Sequence, residues 1–164
     1  MKRGYVLFVL VLTLACSSPE SPTTFILIRH AEKANDGTND PDLKAEGKER
    51  AFRLAELLKE TKVAAIYATN FKRTRQTVEP LAAEKNIAIQ KYEAFQAEEI
   101  EKILDEHRGE TVVVCGHTNN IPWTANLLTG TDDLKEYDES QYGIFLIVTV
   151  VHKGSNARVL RLSY

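Results

Sequence analysis

Short apolar, β-branched runs alternate along this chain with stretches whose apolar residues recur at helical spacing. That alternation is the tightest constraint on what the chain can fold into. Residues 25–28 (Phe-Ile-Leu-Ile), 63–68, 86–89 and 111–115 (Thr-Val-Val-Val-Cys) read as strands. Between them, 44–59 carries Ala51, Leu54, Ala55 and Leu58 on one face, and 71–85 carries Thr77, Val78, Leu81 and Ala82. The stretch 97–107 carries Ile100, Ile103 and Leu104 and ends near Gly109. Residues 121–128 read as a further helix followed by a turn over 129–133, and 35–41 is a loop by composition. Residues 144–151 and 158–162 read as two last strands, antiparallel because a short loop containing Gly154 joins them. Strands that alternate with helices lie mostly parallel, with helices covering both faces. The expected fold is therefore α/β, a three-layer α/β/α sandwich whose mostly parallel central sheet has an antiparallel edge strand. With 164 residues, one domain accounts for this core, and no internal repeat is visible.

The beginning of the chain follows a different logic. Lys2 and Arg3 precede an apolar stretch over residues 5–15. A helix that crosses a bilayer needs about 20 apolar residues; a shorter run with basic residues in front and a small residue behind reads as a secretory signal. Ala15 is followed at once by Cys16, which resembles a bacterial lipoprotein signal, where the cysteine is acylated and becomes the first mature residue. A plain signal peptide with an incidental Cys16 is the rival reading. Residues 17–22, polar with two prolines, read as a tether. The expected organisation is a signal peptide over 1–15, a lipidated Cys16 and tether over 16–23, and one domain over 24–164. Such a protein would be held outside the cytoplasm in a bacterial cell envelope, touching the membrane through the lipid on Cys16 only. Cys115 then has no cysteine partner, and its apolar run marks it as a small buried hydrophobe. Loss of Lys2 and Arg3 with the leader leaves 19 basic against 23 acidic residues, a net charge of −4. That balance gives no whole-molecule attraction to nucleic acid or anionic lipid. An anionic substrate would need a local basic pocket.

In a parallel sheet, ligands bind beyond the carboxyl ends of the strands. Arg29-His30 follows the first strand, Thr69-Asn70 the second, with Arg73 opening the next helix, and Gly116-His117 follows the 111–115 strand. The fold would bring these groups to one edge. Two imidazoles and two guanidinium forks there make a compact site for a tetrahedral anion, and a neutral imidazole is a competent nucleophile. Arg73 is expected to point inward, with Lys72 and Arg75 outward. Lys33, Asn35 and Thr118 are candidate substrate contacts. His107 and His152, at a helix end and in a turn, are expected at the surface.

These segments resemble the histidine phosphatase superfamily, also called phosphoglycerate mutase-like. The resemblance rests on Ile28-Arg29-His30-Ala31-Glu32-Lys33, on Arg73-Thr-Arg-Gln76-Thr77, on Val113-Val-Cys-Gly116-His117-Thr118-Asn119, and on Leu43-Lys-Ala-Glu-Gly47 between the first two. It implies that His30 is phosphorylated while Arg29, Arg73 and His117 hold the phosphoryl oxygens. It also implies a carboxylate that protonates the leaving oxygen and then activates water. Glu93, after Tyr92, is the nominee; Glu32, Glu98 and Glu99 are competitors.

Rival chemistries lack their residues. His30-Ala-Glu32 has the front half of a zinc deaminase signature, but no Pro-Cys-x-x-Cys follows. The four histidines have no metal-ligand spacing, and no arginine follows Cys115 as in a tyrosine phosphatase loop. Neither cofactor nor metal is expected. The span between the second and third motifs has room for one strand and one helix, so no large cap domain is expected and the pocket should be open. The reading is a metal-independent phosphatase of the compact branch, acting on phosphomonoesters or on the phosphohistidine of another protein through a phosphohistidine at His30. The alternative is a non-catalytic envelope lipoprotein that binds a phosphorylated or anionic ligand.

Overall fold

The computed structural model describes residues 21–154 and 156–164. The expected leader and the acylated Cys16 lie outside the described residues. The elements run β1 (Thr23–Arg29), α1 (Ala45–Leu57), β2 (Ala65–Ala68), α2 (Lys72–Lys85), β3 (Ile89–Lys91), α3 (Ala97–Glu106), β4 (Thr111–Gly116), α4 (Asn120–Thr129), β5 (Ile144–Val150) and β6 (Arg158–Ser163). They build a six-stranded sheet in the order β3-β2-β4-β1-β5-β6. The first four strands of that order pair in parallel, while β5 runs antiparallel to both β1 and β6.

The sheet divides the core by strand alternation. Phe25, Leu27, Ala65, Tyr67, Val112 and Val114 face one side with Ile100, Ile103 and Leu104 of α3 and Ile121, Ala125 and Leu128 of α4. Ile26, Ile28, Ile66, Ala68, Val113 and Cys115 face the other, against Leu54 and Ala55 of α1 and Val78, Leu81 and Ala82 of α2. Both faces of the strands are thus buried, which is why β1 and β4 read as continuous apolar runs rather than alternating ones. The chain is a three-layer α/β/α sandwich. Cys115 is fully buried, and burial pushes its thiol pKa upward.

Three details differ from the sequence reading. The third strand covers Ile89–Lys91 instead of 86–89. Asn86 takes a left-handed conformation (φ 54°) that closes α2, and Ile87 N–H bonds back to Ala82 O at 3.0 Å, so the chain is still leaving the helix where the strand was expected. β1 opens at Thr23, the last residue expected in the tether; its hydroxyl donates to His107 O and accepts from Gly109 N. His107, expected at the surface, is half-buried between the Tyr67 hydroxyl at 3.0 Å and the Glu110 carboxylate at 2.9 Å. His152 is exposed.

Candidate active site

β1 and β4 are neighbours, and their onward connections leave toward opposite faces: β1 leads to α1, β4 to α4. This is the switch point at which α/β sheets bind ligands. Main-chain bonds carry the pairing one step past the strand ends, with His30 N donating to Gly116 O at 2.9 Å and Thr69 N to Cys115 O at 3.3 Å. The His30 and His117 rings meet there, with centroids 5.4 Å apart at 67°.

The hydrogen bonds assign a tautomer to each ring. His30 Nδ1 lies 2.8 Å from Ala31 O, which can only accept. Nδ1 therefore carries the proton, and Nε2 keeps a free lone pair. Thr74 Oγ1 donates to the main-chain oxygens of Thr69 and Phe71, so it accepts from the Thr69 hydroxyl at 3.1 Å. The Thr69 oxygen then accepts from His117 Nε2 at 2.9 Å. His117 Nδ1 is left unprotonated, 3.5 Å from an Arg73 nitrogen. Burial pulls the His30 pKa down to about 3, although the bond to Ala31 O opposes it; His117 when it is charged, and the Arg29 and Arg73 guanidinium groups, add to the shift. Burial followed by Arg73, Arg29 and Lys33 takes His117 down to about 4. Both rings are neutral near pH 7.

Supporting contacts hold these rings in place. Thr77 accepts Ala31 N at 2.9 Å and donates to Arg73 O at 2.7 Å, tying the residue after His30 to the first turn of α2. Asn120 accepts His117 N at 2.6 Å and donates to the Tyr92 hydroxyl at 2.9 Å. A Cβ on Gly47 would stand 2.2 Å from Glu32 O, so only glycine lets α1 approach the loop after His30.

The remaining expected residues divide. Arg73 is mostly buried and turned inward, while Lys72 and Arg75 are exposed. His30, Arg73, His117, Lys33, Thr118 and Glu93 line one cleft of about 630 Å3. Glu93 is on its exposed side, paired with Lys91 at 2.5 Å. Thr118 donates to Glu136 at 3.2 Å. Arg29 lies behind the cleft. Its side chain is fully buried, and it donates to the main-chain oxygens of Asp138, Gln141 and Glu139 and to the Glu139 carboxylate at 3.0 Å, with Tyr142 stacked at 4.1 Å. Arg29 Nε and Arg73 Nε are both buried without a hydrogen-bond partner among the described residues.

Asn35 does not reach the cleft; it is exposed in its loop. Gln76 pins Leu43 N and Asp42 at 2.8 Å each, which lays the loop along α2 so that Asn39 and Asp40 meet Arg73 instead. Of the competing acids, Glu32 is consumed by a forked pairing with Arg50 (2.6–3.1 Å). Burial would raise its pKa, but the Arg50 hydrogen bonds outweigh that and hold it below the usual range. Glu99 accepts Glu93 N at 2.6 Å, and Glu98 is exposed outside the cleft. Glu139 is a lining carboxylate that sequence reasoning missed. It sits in an irregular stretch between α4 and β5 with no periodic or motif signal. No group of three His, Cys, Asp or Glu side chains among the described residues is arranged to hold a metal ion.

A family model described as histidine phosphatase superfamily (branch 1) matches residues 25–97. No curated protein sequence matches the chain. Among solved structures, the fold is similar to the protein histidine phosphatase SixA with tungstate (16% identity, TM-score 0.69, 85% of this chain and 96% of that one). It is also similar to Bacillus stearothermophilus YhfR (20% identity, TM-score 0.63, 77% and 90%). A mycobacterial glucosyl-3-phosphoglycerate phosphatase is a third (12% identity, TM-score 0.69, 87% and 98%). At these identities the structural likeness establishes the fold. The family match takes in His30, Arg73 and Glu93, and the fold sets His117 beside them, so over residues 25–97 the chain is similar to the histidine phosphatase superfamily (branch 1).

Proposed function

We propose that the protein is a metal-independent phosphatase that hydrolyses phosphomonoesters or phosphohistidine through a phosphohistidine at His30. The observation that carries this reading is the neutral His30 ring: its Nδ1–H is fixed on Ala31 O, and Nε2 is free in a cleft bordered by His117 and Arg73. In the first step Nε2 forms a bond to phosphorus as the bond to the leaving oxygen breaks, and that oxygen takes a proton from Glu93. In the second step Glu93 takes a proton from water, whose oxygen attacks phosphorus and releases inorganic phosphate and free His30. Glu93 is supported as the acid by its place in the cleft and by the bridge Tyr92–Asn120–His117, which ties its strand to the second histidine. Charge on the equatorial oxygens is met by the Arg73 guanidinium in the cleft and by His117 once the bound dianion draws a proton onto its free Nδ1, while Arg29 adds its positive charge from behind the cleft, as phosphoryl transfer requires. The likeness to a protein histidine phosphatase supports a phosphohistidine on another protein as one substrate.

Brief exposure to a phosphorus-labelled substrate followed by an acid-free quench should trap label on wild-type residues 23–164 and none on His30→Ala. Equal turnover by the two proteins overturns the mechanism, and activity abolished by EDTA overturns metal independence. Arg73→Ala should lose about 10²–10³ in kcat, the scale seen when one preorganised charge-stabilising donor is removed.

Export and lipid anchoring through Cys16 complete the proposal, supported by Lys2, Arg3, the apolar stretch and Ala15-Cys16. Mass spectrometry of the mature N-terminus should find a diacylated or triacylated Cys16; an unmodified cysteine refutes the anchor.

A further inference from the structure

The cleft beyond His30, at about 630 Å3, holds far more than a phosphoryl group, and two phenylalanines line it. Core packing accounts for neither. Phe71 is 38% exposed; it stands edge-on to His117 with centroids 5.1 Å apart at 90°, and the Arg73 guanidinium covers its ring at 4.2 Å. Phe95 is 49% exposed and has φ of 61°, in the left-handed region. The other two non-glycine residues with positive φ among those described are Asn86 and Asn156, and asparagine tolerates that conformation. A bulky aromatic residue does not. Strain of this kind persists where the surroundings impose it, and it gathers at ligand clamps. The Phe95 ring stands edge-on to Trp123 of α4, with centroids 5.4 Å apart at 66°.

We propose that Phe71 and Phe95 form a leaving-group subsite for a flat aromatic ring. The preferred substrates are then phosphomonoesters whose ester oxygen is on an aromatic ring or one carbon away from it. This rests on the phosphatase reading above. A flat ring entering the cleft meets exposed phenyl surface in stacked or edge-on geometry, which aromatic pairs favour beyond simple area burial. It also removes water from two apolar side chains that the protein itself leaves wet. Phe71 adjoins His117, so a ring resting on it lies beside the phosphoryl site. A puckered ring of the same size gains the burial without the aromatic contact.

The test compares benzyl phosphate with cyclohexylmethyl phosphate, which share the attachment and nearly the same leaving alcohol. Wild type should favour benzyl phosphate in kcat/KM by about tenfold, the equivalent of about 1.4 kcal/mol. Phe71→Leu and Phe95→Leu should each shrink that ratio. Phe95→Asn should shrink it too with no fall in melting temperature, since asparagine accepts the left-handed backbone. A wild-type ratio of one or below, or a ratio unchanged in all three variants, overturns the subsite. Calorimetric binding of benzylphosphonate and cyclohexylmethylphosphonate needs no turnover. Equal affinities there overturn the subsite, whereas a kept ring preference in a protein that forms no phosphoenzyme overturns the catalytic reading alone.

Discussion

Taking the ligand-free protein from about pH 7.5 to about pH 5 should cost about 4 kcal/mol of stability through His30 and His117 alone. Burial, aided by positive neighbours, lowers the two rings to about 3 and about 4, against about 6.5 in an unfolded chain. Between those values the unfolded chain binds protons that the folded one does not. Stability therefore falls as pH drops below about 6.5, and above it these rings cost nothing. At about pH 5 the shortfall is about 1.5 units, or about 2 kcal/mol for each ring. That figure requires only that both folded values lie below the working pH. Native domains have about 5–15 kcal/mol in all, so the loss is large. Urea midpoints at several pH values for wild type, His30→Asn, His117→Asn and the double variant measure it. Carboxylates titrate in all four proteins, so the differences isolate the two rings. Each single variant should recover about 2 kcal/mol of the pH-dependent loss, and the double variant about 4. A double variant that declines as steeply as wild type refutes the reasoning. Inorganic phosphate should flatten the wild-type curve, because a bound dianion favours the charged imidazoles.

Two further outcomes follow from the packing around the rings. Gly116→Ala would put a Cβ 2.5 Å from Asn120 Oδ1 and 2.7 Å from the Tyr92 hydroxyl. It should cost about 1–3 kcal/mol in thermal unfolding and lower kcat by displacing His117; a variant with wild-type melting and kcat would show that this contact positions nothing. Glu32→Gln leaves the Arg50 fork without its carboxylate and should cost about 1.5–3 kcal/mol in urea, and unchanged stability would show the pair to be solvent-screened.

Much of the site was legible because its residues sit at strand ends. Apolar runs at 25–28 and 111–115 announce buried parallel strands, and the residues after them must reach the same edge. His30, His117 and Arg73 could therefore be grouped without coordinates. The strand at Ile89–Lys91 was placed too early because its only cue, Ile87 and Ile89, belongs partly to the exit from α2. Asn35 looked as good as Asn39 or Asp40, since composition marks a loop without saying which of its residues Gln76 will press against Arg73.

The order of strands and helices, the buried faces of the sheet and the grouping of His30 and His117 at one sheet edge were determined by the sequence alone, because periodicity and strand-end position are local properties. Only the tertiary structure decided that Arg29 clamps the 138–142 segment, that Glu139 rather than Glu32 lines the cleft, that each imidazole has a particular tautomer, and that Phe95 takes a left-handed backbone beside Trp123. Those outcomes depend on which distant atoms finally share a hydrogen bond or a contact, and residue order carries no direct record of them.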